Sequence, residues 1–168
     1  MNHRLSRALA MSACSFAFVV TTGCAAGFDA PTEEEYAPGD GVIGQVGDLK
    51  LRNVLLVTDV DDENAAVIGV VVNDGLEDDR LVGLAVDGEQ VRAELPAEVE
   101  AGQTLSIGPV DADLVATAAR IDFEAGDFVE VEFEFDSAGT ITLQALALAP
   151  RGIYEDYAPE APATPFSP

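Results

Sequence analysis

Residues 128–135, FVEVEFEF, alternate without interruption between large apolar side chains and glutamates. In an extended chain, successive side chains point to opposite faces. Val129, Val131, Phe133 and Phe135 therefore share one face, and Glu130, Glu132 and Glu134 the other. A helix cannot collect that period on one side, so this segment must be a strand with one buried and one wet face. Gly126-Asp127 precedes it and Ser137-Ala138-Gly139 follows. Those residues read as turns, with 140–148 as the hairpin partner.

The same reading finds strands at 49–57, 66–73, 80–86 and 89–95, with a short one at 104–107. Asp87-Gly88 is a two-residue hairpin signal, because both central positions of that turn need positive φ. Residues 67–72 are almost wholly apolar and β-branched, which predicts a strand covered on both faces. Residues 112–119 fit a short helix or a strand. No segment carries a sustained helical stripe. The expected fold is all-β, an antiparallel β-sandwich of about seven to eight strands over residues 41–149.

The ends read differently. Arg4 and Arg7 open the chain without an acid, an apolar run from Ala8 to Val20 is broken by Ser12 and Ser15, and Thr21-Thr22-Gly23-Cys24 follows. A basic start, an apolar core and small residues at a cleavage point make a signal peptide over 1–23. Its core of about 13 residues is shorter than the roughly 20 that span a membrane. Small residues ending in Gly23-Cys24 resemble a bacterial lipobox, in which the thiol takes palmitate-type acyl chains and becomes the new N-terminus. Thr21 stands where that motif usually has Leu. Each buried CH₂ contributes about 0.8 kcal/mol, so several chains anchor firmly. Residues 24–40 then form the lipidated Cys and an acidic tether with Pro31 and Pro38. Residues 150–168, with five prolines, read as a disordered tail. Tyr154, Tyr157 and Phe166 are docking-type residues within that tail, which is nonetheless read as solvated. The expected location is the extracytoplasmic face of the cell membrane, held by lipid.

The chain carries 31 Asp+Glu against 8 Lys+Arg. So few cations build no phosphate-binding surface, so nucleic acid is not an expected partner. From residue 24 onward there is no His and no Met, and Cys24 is the sole Cys. Imidazole-based catalysis is excluded, no Gly-x-Ser-x-Gly elbow occurs, and no cofactor motif is present. Carboxylates remain as possible ligands. Asp59, Asp61 and Glu63 cluster in one predicted turn, and Asp74 and Asp78 in the next acidic loop. Oxygen ligands suit calcium. The EF-hand pattern fails, however, because Asn64 stands where its loop needs Gly. If the two loops lie at one end of the sandwich, they share a cation; otherwise they are solvated turns.

Residues 73–83, NDGLEDDRLVG, resemble a loop-and-strand signature of the periplasmic copper chaperone family PCu(A)C. Ala101-Gly102-Gln103-Thr104, Gly108-Pro109, Ala125-Gly126-Asp127-Phe128 and Ala138-Gly139 follow in the family's order. Residues 47–54 resemble the actinobacterial LpqE-type lipoprotein branch. The resemblance covers roughly residues 45–148 and implies a cupredoxin/immunoglobulin-like sandwich. It also implies a copper site of two His and two Met, with a His-x-Met just after Gly-Pro. Those two positions fall at Asp113 and Val115, and neither His nor Met occurs between Val82 and Thr104. Carboxylate and alkyl groups do not replace imidazole and thioether for Cu(I). The function expected is that of a membrane-anchored envelope lipoprotein acting as a non-catalytic binding or assembly module, with an unknown envelope protein as partner. The alternative is an extracytoplasmic copper chaperone or metal-buffering protein using oxygen ligands.

Overall fold

The computed structural model describes residues 39–59 and 63–159. The expected signal peptide, Cys24, most of the tether, Asp61 and the chain from Glu160 lie outside the described residues. Ten strands form: β1 (Val42–Val46), β2 (Leu49–Asp59), β3 (Asn64–Asn73), β4 (Asp79–Val86), β5 (Glu89–Gln90), β6 (Ala97–Val99), β7 (Thr104–Ile107), β8 (Thr117–Ala119), β9 (Phe128–Phe135) and β10 (Gly139–Leu148). The fold is all-β, as expected, but the strand count exceeds the seven to eight read from the sequence. Of the predicted strand over 89–95, only Glu89–Gln90 pair with β4 as a strand and Arg92 forms a single bridge to Thr117, while β1 and β6 lie outside the strands expected from the sequence.

The strands join in one curled sheet, ordered β5-β4-β9-β10-β2-β3-β7, with β1 on β2, β6 on β4 and β8 on β3. The wholly antiparallel arrangement is corrected: β10 runs parallel to β2 through Ala147↔Leu56 and Leu148↔Val57. Those two strands are distant in sequence, so no turn constrains their relative direction. The edges of the curl approach each other where Arg92 N–H donates to Thr117 O at 2.8 Å and Thr117 N–H to Arg92 O at 3.0 Å.

β9 behaves as its alternation dictates. Val129, Val131, Phe133 and Phe135 are buried and its glutamates are exposed. They meet Leu81, Leu84 and Val86 of β4 and Leu51, Leu56, Val67 and Val71 of β2 and β3 in one core. The Asp87-Gly88 turn has φ of 50° and 78°, the left-handed pair that its hairpin requires.

β3 is covered on both faces. Ala65, Val67 and Val71 enter the main core, while Ile68 joins Leu55 and Val57 of β2 in a second cluster on the outer face. The outer cover comes from residues read as disordered tail. Gly152–Tyr157 form a 3₁₀ helix whose Tyr154 and Tyr157 pack on that cluster. Their apolar rings gain more by covering the sheet than they cost in ordering.

Candidate functional site

The two acidic loops do not meet. The turn holding Asp59 and Glu63 precedes β3, and the loop holding Asp74 and Asp78 follows it. Nine residue steps at about 3.3 Å put them roughly 30 Å apart. The expectation that they share a cation is corrected by that separation. Among the described residues, no group of three or more His, Cys, Asp or Glu is placed to hold a metal ion.

The loop after β3 lines a cleft of about 620 Å³ together with Gly47, Asp48 and Ser137. Its carboxylates already have partners. Asp74 pairs with Lys50 at 2.7 Å, and that hydrogen bond and charge lower its pKa. Asp78 accepts the Ala101 N–H at 2.8 Å. Asn73, buried at the strand end, donates to Glu77 O and Val99 O and accepts the Gly75 N–H. These groups hold the loop in shape.

A second cleft of about 620 Å³ lies on the seam between the curled edges. Leu105 of β7 and Leu114 are its buried apolar floor, and Glu94, Glu98 and Asp113 line it. Asp113 Oδ2 accepts both the N–H and the hydroxyl of Ser106, at 2.8 and 2.6 Å, and Ser106 Oγ accepts the Asp113 N–H at 3.0 Å. The Ser106 hydroxyl and N–H together depress the Asp113 pKa. This clasp also occupies an outward N–H of β7, which ends the sheet path. Leu114 extends the closure, donating to Ser106 O and accepting from Gly108, each at 3.0 Å. Val115, beyond it, is 54 % exposed.

The two positions that the resemblance assigned to copper ligands thus lie in this cleft. One is a carboxylate engaged by a serine, the other an isopropyl group. Neither supplies nitrogen or sulfur, and this donor set does not fit a cuprous ion. Sequence reasoning reached Asp113 and Val115 but missed Ser106, Glu94 and Glu98. Nothing in their local pattern signals a cleft that forms only when two sheet edges meet.

No family model matches the chain, and no curated protein matches it. Solved structures do. The copper-bound PCuAC domain from PmoF2 superposes with TM-score 0.56 at 21 % identity, over 65 % of this chain and 99 % of that one. The apo PCuAC domain from PmoF1 gives 0.56 at 24 %, over 65 % and 100 %. The apo PmoF2 PCuAC domain gives 0.57 at 21 %, over 66 % and 98 %. Similarity at this level establishes architecture and leaves ligands to be argued from side chains. The described chain has a PCuAC-like fold.

Proposed function

We propose that this protein is an exported, lipid-anchored lipoprotein of the LpqE type. Its PCuAC-like domain, packed as a β-sandwich around the common core, works as a non-catalytic binding or assembly module on the outer face of the cell membrane. The observation that carries this reading is the pair Asp113 and Val115 at the family's ligand positions, with Asp113 engaged by Ser106. The absence of His and Met beyond the leader supports it, since a soft ion has no soft donor to replace water. Cys24 after Gly23 supports the anchor.

Titrating the chain from residue 25 onward with Cu(I) against a colorimetric chelator tests the module reading. The expected result is no competition; stoichiometric sub-micromolar loading overturns it. Replacing Cys24 with Ala and fractionating cells tests the anchor. The variant is expected to leave the membrane fraction, and unchanged retention refutes lipidation at this residue.

A further inference from the structure

The seam cleft differs from the other acidic surfaces in having an apolar floor beneath carboxylates, with no Lys or Arg among the residues that line it. The loop after β3 spends Asp74 on Lys50 and Asp78 on a backbone N–H. The Glu130, Glu132 and Glu134 stripe lies on the outer face of a sheet, where no concavity excludes water. In the seam, Leu105 and Leu114 are almost fully buried, and Val115 forms an exposed apolar rim. Glu94 makes no hydrogen bond or ion pair among the described residues. Glu98 lies opposite Arg80 across the β4–β6 pairing and feels its charge, although the guanidinium makes its hydrogen bond to Asp136.

The Ser106 clasp and the Leu114 hydrogen bonds fix one wall, so the groove exists before any occupant arrives. Preformed walls reduce the ordering cost of binding. The volume falls within the range of ligand pockets. Apolar surface favours an apolar group, and three carboxylates favour a cation beside it. An anionic or purely apolar occupant leaves those charges desolvated and unpaired.

We propose that the seam cleft docks a basic segment of a partner protein, with an apolar side chain over Leu105 and Leu114 and a Lys or Arg among Glu94, Glu98 and Asp113. The proposal rests on the binding-module reading and names the chemistry of its partner. It commits to a peptide because the exposed Val115 on the lip offers apolar surface to a second residue flanking the one over the floor, which a chain supplies and a single small cation does not.

The probe is a dye-labelled peptide of alternating Leu and Lys, titrated by anisotropy into the full chain in neutral detergent at about 0.15 M salt, where long-range attraction is screened. Saturable binding is expected. Val115→Arg, a change on an exposed lip, is expected to weaken it at least about tenfold, as is the pair Glu94→Gln with Glu98→Gln. The triple change Glu130→Gln, Glu132→Gln and Glu134→Gln removes more charge elsewhere and is expected to shift affinity by less than about threefold. Replacing Leu by Ser in the probe is expected to abolish saturation. Absence of binding overturns the proposal, as does equal weakening by stripe and cleft variants, or equal binding of the serine probe or of a simple alkylamine. Circular dichroism melting separates misfolding of Val115→Arg from loss of the site. Copper loading tests the underlying module reading independently, so the two can fail separately.

Discussion

Asp79 Oδ1 accepts the backbone N–H of Ser137 at 2.9 Å, a bond that crosses 58 residues of sequence. Oδ2 accepts the next N–H, from Ala138, also at 2.9 Å, and Oδ1 accepts that of Arg80 at 2.7 Å. One carboxylate thereby fastens the β9–β10 turn to the start of β4. Asp79 is 7 % exposed. Burial pushes its pKa up, but the N–H groups of Ser137, Arg80 and Ala138 together outweigh burial and hold it below the ordinary aspartate value.

A carboxyl depressed on folding stabilises the protein above its unfolded pKa, near 3.9, and loses that contribution as pH falls toward the folded value. Asp79→Ala removes the acceptor and leaves buried N–H groups unpaired, at a cost of about 2–4 kcal/mol at neutral pH. Urea unfolding at neutral pH and at about pH 3 reads the difference. The deficit is expected to shrink in acid. An equal deficit at both values assigns the loss to packing alone.

The 3₁₀ segment closes the outer face of β2 and β3 with two tyrosines, whose rings meet edge-to-face at 6.4 Å. Tyr157→Ala is expected to cost about 1–3 kcal/mol by exposing Leu55, Val57 and Ile68. Tyr154→Phe keeps the ring and removes only an exposed 3.1 Å bond to Asp40, so its cost stays within about 0.5 kcal/mol. Burial and Asp40 raise the Tyr154 pKa, so its contribution persists below the ordinary phenol value and fades as pH rises through the raised one. Chemical denaturation of both variants, with a dye that reports apolar surface, checks this. Similar losses in the two place the energy in the hydroxyl rather than the ring.

Phe133 and Glu132 are sequence neighbours on opposite faces of β9. Phe133→Ala empties a fully buried site and is expected to cost about 3–5 kcal/mol, while Glu132→Ala changes stability by about 0.5 kcal/mol or less. Denaturation midpoints of the two variants give the comparison directly. Comparable losses contradict the one-sided burial of the strand.

Alternation made β9 legible because its period survives any tertiary context. The β-branched run in β3 was legible as doubly covered, though not what covers it. The 3₁₀ segment was hidden because Pro150, Glu155, Asp156 and Pro159 outweigh two tyrosines in any compositional average, and the tyrosines order only against a finished face. The parallel β2–β10 pairing had no local signal. The separation of the acidic loops did have one: they flank a single strand, so extended geometry alone sends them to opposite ends. At the seam, Asp113 and Val115 came from resemblance, whereas Glu94 and Glu98 reach the cleft through closure of the sheet and Ser106 acts on it through Asp113.

Gly41 offers the sharpest test of how β1 seats on β2. β1 pairs with β2 across a bulge near Asn53, whose φ of 52° turns the backbone outward. A Cβ on Gly41 stands 2.5 Å from the Asn53 carbonyl carbon and 2.6 Å from its Cα. Backbone cannot rotate aside as a side chain does, so Gly41→Ala must shift β1 or undo the bulge, at a cost of about 1–3 kcal/mol. Gly88 is the control: its Cβ meets nothing within 4 Å, and only its φ of 78° opposes a side chain. Gly88→Ala is expected to cost about 1 kcal/mol through strain alone. Amide hydrogen exchange then separates the mechanisms. Gly41→Ala is expected to lower protection across Val42–Val46 and the facing part of β2, and Gly88→Ala only around the β4–β5 turn. Unchanged protection in β1 with Gly41→Ala contradicts the close backbone approach.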